Sequence, residues 1–149
     1  MRKILIPLDG SERSLHSISL MKELYGPTDV EIVLMYVEEG TEEIYKDLDE
    51  ALRGKTYEEG KRIFESHNLK DKIEKKLDSP MELLKDYSVK KEVSFDKKVG
   101  KEILKVAKEN EVDLIIMTKS TKKGFEKMIG SVTTYVVKHA HCMLLIAPE

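Results

Sequence analysis

Apolar and polar positions fall into two kinds of block that alternate along the chain. Four short runs are apolar almost throughout: KILIPL at 3–8, VEIVLMYV at 30–37, VDLIIM at 112–117 and CMLLIA at 142–147. Runs of this length, bounded by turn residues and apolar on both faces, predict strands buried in a parallel sheet. A fifth segment, SVKKEVSFD, carries only Val89, Val93 and Phe95 as apolar anchors. It predicts a strand nearer an edge, where part of its surface meets water.

Between these runs the apolar residues recur at helical spacing. Ser11 can cap a helix in which Leu15, Ile18, Leu20, Met21 and Leu24 repeat until Gly26-Pro27 stops it. A longer amphipathic stretch carries Ile63, Phe64, Leu69, Ile73, Leu77, Met81 and Leu84. Within it, Ser79-Pro80 predicts either a fresh helix start or a kink, because proline has no N–H for an interior helical bond. Residues 99–110 place Ile103, Leu104, Val106 and Ala107 on one face, and a last helix is predicted over 131–139. Strands alternating with helices give an α/β fold, an open five-stranded parallel sheet with helices on both faces, doubly wound. Its crossovers should be right-handed, and its ligands should sit beyond the strand C-termini at the switch point of the sheet.

One stretch departs from the pattern. Glu38, Glu39, Glu42, Glu43, Asp47, Asp49 and Glu50 face only Lys46 before Arg53. Such a charge run predicts a solvated, variable acidic helical insert at about 38–60 within a single domain spanning 1–149. At 149 residues one domain can bury roughly 70% of its unfolded surface. Lysine and arginine number 26 against 28 aspartates and glutamates, so no global basic field invites nucleic acid as a partner. No apolar run approaches the ~20 residues that span a bilayer, and the N-terminus lacks a signal-peptide pattern, so a cytoplasmic protein with no membrane partner is expected. The single cysteine, Cys142, cannot form an intramolecular disulfide and sits in an apolar run, as a small buried thiol does.

Candidate chemistry gathers in two places. Asp9-Gly10-Ser11 follows the first strand, and Gly130-Ser131 opens the last helix after a lysine-rich loop. A strand, a loop and a helix start can surround an anion with backbone N–H groups. Asp9 reads equally as a turn carboxylate, and Ser131 as an ordinary N-cap. Lys119, Lys122, Lys123 and Lys127, opposed by Glu126 alone, could neutralise phosphates or simply be solvated. His139 and His141 beside Cys142 lack the further ligands that a metal site needs, so no metal ligand is assigned. No G-x-S-x-G elbow accompanies Asp9, Ser14 and His16, so no catalytic residue is assigned either.

Four landmarks in order, ILIPLDGSERS, VLMYVEE, DLIIM and GSVTTYVVKHAHCMLLIAP, resemble the universal stress protein family. The resemblance implies an adenine nucleotide alpha hydrolase-like fold and a role in stress response or signalling. Members that bind ATP carry Gly, two residues, Gly, nine residues, then Gly-Ser or Gly-Thr after the fourth strand. Here the first glycine position is Thr118, the second falls near Thr121, and the interval to Gly130-Ser131 is one residue short. Threonine resists the close backbone approach and positive φ for which glycine is used.

The resemblance assigns the adenosine side to Pro7, Leu8, Asp9 and Val37, with Met117 opening the loop and Thr118 at its first glycine position, and the phosphate side to Gly130, Ser131 and Val132. It implies a homodimer through the strand Cys142 to Ala147, in keeping with the aggregation hazard of an unpaired apolar edge. Two readings follow. The leading one is a dimeric interaction module with a degenerate nucleotide site, an unidentified protein partner and no clear enzymatic activity. The alternative is a switch that binds ATP or AMP, with Mg, and hydrolyses ATP slowly if at all.

Overall fold

The computed structural model describes residues 1–39, 58, 62, 69–119, 121–122 and 125–148, and of 69, 121–122 and 125–129 the backbone alone. Its strands are β1 (Arg2–Leu8), β2 (Val30–Glu38), β3 (Ser88–Phe95), β4 (Leu114–Thr118), β5 (Thr121–Lys122), β6 (Phe125–Ile129) and β7 (Met143–Ala147). Five of them form one parallel sheet in the order β3-β2-β1-β4-β7. The strand with the sparsest apolar pattern, β3, is one edge, and β7 is the other.

Although the central strands are apolar along most of their length, their residues still alternate between two cores. Ile4, Ile6 and Leu8 of β1 join Ile32, Leu34 and Tyr36 of β2 on the face that includes Ile18 and Met21 of α1 (His16–Leu24). Leu5, Val33, Met35 and Val37 pack on the opposite face with Ile103 and Val106 of one helix and Val136 of another. These two are α4 (Val99–Glu109) and α5 (Ser131–His139). Both faces are therefore covered, as a buried parallel sheet requires.

Ahead of α1 the chain makes a 3-10 turn, Arg13–Leu15. Ser11 Oγ accepts the Ser14 N–H at 3.2 Å, so it caps this turn and not the α-helix itself. The amphipathic stretch after the insert is divided into α2 (Leu69–Glu74), a 3-10 turn at Lys75–Leu77 and α3 (Asp78–Leu83). Pro80 is the third residue of α3, and the tightened turn lies just before it. A new helical segment thus starts just ahead of the proline, whose missing N–H falls in the first turn, where it has no intrahelical bond to lose. Ile73, Leu77 and Leu84 are buried here, whereas Leu24, predicted on the inner face of α1, is 52% exposed at its last residue. Ile63, Phe64 and nearly all of the acidic insert lie outside the described residues.

The segment 118–129, read from sequence as a loop, contains a hairpin in which Thr121 faces Ile129 and Lys122 faces Phe125. Glycine has a specific use between α4 and α5. A Cβ on Gly100 would come within 2.8 Å of Tyr135 Cδ1 and 3.0 Å of its Cβ, so only glycine allows this approach. Among the described residues no helix is long and apolar enough to cross a membrane.

Candidate functional site

The chain winds from β1 outward to β2 and β3, then returns to the other side of β1 to lay down β4 and β7. The switch point therefore falls between β1 and β4, where loops leave in opposite directions and open a crevice. A cleft of about 220 Å³ occupies that position. Pro7, Leu8 and Asp9 line it from the end of β1, Val37 from β2 and Glu39 from just beyond it, Met117 and Thr118 from β4, and Val132 from α5. Val99 and Ile103 of α4 complete an apolar wall. Of the residues expected at the site, Gly130 and Ser131 do not line this cleft.

Asp9 is fixed by its own turn. Its Oδ1 accepts the Ser11 N–H at 2.8 Å and also the Ser11 hydroxyl, while Oδ2 lies 3.5 Å from an Arg13 guanidinium nitrogen. Burial, the largest single influence on its pKa, works to raise it. Hydrogen bonds from Ser11 and Ser14 and the Arg13 charge together outweigh burial and hold the carboxyl below its ordinary value. Gly10 then turns at φ +86, a conformation that L side chains rarely adopt. Asp9 thus faces the cleft as an ionised acceptor whose rotamer is already set.

Thr118 occupies the position where the ATP-binding pattern has its first glycine. Its hydroxyl accepts the Ser17 N–H at 3.1 Å and donates to the Ser14 carbonyl at 3.2 Å, in a buried bridge from β4 to the start of α1. β4 continues in register with β7 through Thr118 and Ala147, and the Lys119 N–H donates to the Ala147 carbonyl at 2.8 Å. The backbone after Thr118 therefore stays in the sheet ladder before entering the β5–β6 hairpin, where a glycine loop would instead curl around a phosphate.

Ser131 lines a second depression of about 480 Å³ that shares Glu39, Val99 and Val132 with the cleft. Asp9 and Ser131 thus stand over adjoining hollows on one rim of the molecule. Ser131 is the first residue of α5 and Gly130 is its N-cap, without a side-chain cap, so the reading of Ser131 as the N-cap is corrected. Sequence reasoning missed the other wall of this depression, where Lys97, Lys98 and Lys101 gather at the start of α4. The signal was available in DKKVGK, three cations at the end of a helix whose dipole favours anions.

A buried network holds the end of β2 in place. Glu38, fully buried, receives the Tyr36 hydroxyl at 3.2 Å and the Lys76 ammonium at 3.3 Å, and Lys76 also donates to Tyr36 at 3.1 Å. For Lys76, burial opposes the charge most strongly, but hydrogen bonding to Tyr36 and the charge of Glu38 prevail and raise its pKa. Val37 and Glu39 flank this anchor. His139, His141 and Cys142 line a separate groove of about 610 Å³ between α4 and α5. There burial pushes the Cys142 thiol up, away from the reactive thiolate. Among the described residues no group of three or more His, Cys, Asp or Glu side chains could hold a metal ion.

The sequence model described as Universal stress protein family matches residues 1–148. The chain belongs to this family. It is 30% identical over 154 residues to Universal stress protein MJ0531 of Methanocaldococcus jannaschii, covering 99% of this chain and 82% of that protein. Among solved structures it is similar to hypothetical protein MJ0577, with 26% identity and a TM-score of 0.70 over 99% of this chain and 96% of the other. A universal stress protein solved in complex with cAMP shares the fold, with a TM-score of 0.61 and 15% identity over 99% and 96% of the two chains. Family membership accounts for the five-stranded parallel fold.

Proposed function

We propose that this family member is a non-catalytic, dimeric regulatory module that keeps the adenosine half of a nucleotide site and has lost the glycine cradle for the phosphates. One observation carries the reading: Pro7, Leu8, Asp9, Val37, Met117 and Val132, drawn from four separate elements, line a single cleft at the switch point. Its apolar wall suits a purine face, and Asp9 supplies an acceptor suited to a ribose hydroxyl. The volume, about 220 Å³, is below the roughly 300 Å³ at which drug-sized pockets begin, so it suits a nucleoside better than a nucleoside triphosphate. The cAMP complex of a protein with this fold is consistent with an adenine ligand. Thr118, bound to Ser14 and Ser17, argues against phosphates in the glycine loop. Among the described residues no set lining the cleft is arranged to activate water, and no reaction is assigned.

Titration with adenosine, AMP and guanosine, followed by thermal unfolding, tests the reading. A ligand that binds only the folded state adds about 2.7 kcal/mol at a hundred times its Kd. Adenosine and AMP should raise Tm at millimolar concentration and guanosine should not. Equal, absent shifts for all three would leave the nucleotide-independent interaction module, the reading favoured if Asp9 and Thr118 serve only their internal hydrogen bonds. The dimer is supported by β7, an edge strand whose Met143 is 54% exposed and whose Leu144, Leu145 and Ile146 are only partly buried. Sedimentation equilibrium giving the mass of one chain would remove the dimer from the proposal.

A further inference from the structure

We propose that Lys97, Lys98 and Lys101, at the start of α4, hold the phosphates of an adenine nucleotide that enters without magnesium. The inference rests on the adenosine cleft described above and assigns what lies beside it. The depression of about 480 Å³ opens beside the cleft, sharing Glu39, Val99 and Val132 as common walls. A phosphate chain leaving a nucleoside in the cleft has this space next to it, while the path along β4 is taken by the ladder to β7.

The lysines stand where helix stability argues against them. Lys98 is the N-cap of α4, Lys97 precedes it, and Lys101 lies in the first turn, at the positive end of the dipole. The local turn is held by another group, since Asp96 Oδ1 accepts the Lys98 N–H at 2.8 Å. Among the described residues neither Lys98 nor Lys101 has an ion-pair partner within 4.0 Å, although Lys105 on the same helix lies between Glu102 and Glu109. Exposed cations at an unfavourable position, over a hollow, fit an anionic ligand as point charges. Among the described residues Glu39 is the one carboxylate lining the depression. A hydrated dication normally keeps one or two carboxylates and the phosphates around it. Here three ammonium groups would repel it and already supply the positive charge that the phosphates need. The three ammonium groups therefore take the charge-neutralising place that magnesium would otherwise fill, and the nucleotide is held as the free anion.

Calorimetric titration of the full chain with adenosine and with ATP, both in EDTA, reads the ratio of the two affinities. In the parent protein ATP should bind at least tenfold tighter than adenosine at 50 mM salt, and the ratio should shrink at 300 mM as screening increases. Lys97→Ala/Lys98→Ala/Lys101→Ala should bring the ratio to within about twofold of one, whereas Lys105→Ala/Lys108→Ala, which removes charge elsewhere on α4, should keep it. Adding magnesium should weaken ATP binding. If adenosine binds but the triple variant keeps the ATP advantage, or magnesium strengthens ATP, the lysine assignment is overturned and the cleft stands. If neither adenosine nor ATP binds, both the assignment and the cleft reading fail.

Discussion

The two hollows of the candidate site are built from different material. The cleft is formed by strand ends and rests on residues such as Leu5, Ile115 and Met117 that are almost wholly buried. The depression beside it is walled by exposed lysines and by the first turn of α5. A residue of the first kind serves folding and binding at once, so its loss is felt in stability before any ligand is added. A residue of the second kind can change with little cost to the fold. On the function proposed above, this difference would let the fold keep an adenosine side while its phosphate side is rebuilt.

The sharpest way to break the contrast is beneath the cleft. Leu5 is fully buried, pairs across the sheet with Val33 and Ile115, and belongs to the core shared with α4 and α5. Leu5→Ala should cost about 2–5 kcal/mol from lost burial and the cavity left behind. Urea unfolding measures this directly, and a loss below about 1 kcal/mol would mean that the strand ends are not the rigid half of the site.

A smaller effect is expected at Thr118, where the two kinds of material meet. Thr118→Val keeps the shape but removes the hydroxyl that joins the Ser17 N–H to the Ser14 carbonyl. It should cost about 1–3 kcal/mol, the usual penalty for leaving buried polar groups without a partner. The cleft should keep its lining, so adenosine binding, if present, should survive in the folded variant. A neutral substitution would mean that Thr118 is free to face a ligand, and the proposed loss of the phosphate loop would lose this support.

Thr118 also marks where the sequence stops being readable. The sheet was legible because buried parallel strands leave uninterrupted apolar runs, and the edge position of β3 followed from its few anchors. The cleft residues were legible because they sit at the ends of those runs. The Thr118 bridge spans more than a hundred residues in sequence, to Ser14 and Ser17, and such a contact has no local signature. The β5–β6 hairpin hides in TKKGFEKMI, which lacks the alternation of a half-buried strand. Lys97, Lys98 and Lys101 could be noticed as charges at the wrong end of a helix, but their meeting with Ser131 depends on how α4 and α5 pack through Gly100 and Tyr135.

The smallest effect is the one that separates a turn carboxylate from a ribose ligand. The pKa of Asp9 lies below its ordinary value of 3.8 despite burial, because Ser11, Ser14 and Arg13 favour the charged form. A carboxyl lowered in the folded state stabilises the protein above its unfolded pKa, and that contribution disappears as pH falls through the folded value. Asp9→Asn should therefore be less stable than the parent at pH 7, by under about 1 kcal/mol because the carboxylate is half exposed and screened. The difference should close as the pH is lowered from about 5 to below the folded pKa. A gap that stays constant over that range would remove charge from the explanation and leave only the shape of the turn. Adenosine affinity then decides the second role. If Asp9 only holds its turn, the variant should bind adenosine as well as the parent does at pH 7. If its free Oδ2 lone pairs also accept from a ribose hydroxyl, affinity should fall about tenfold, the loss of one hydrogen bond to a charged acceptor.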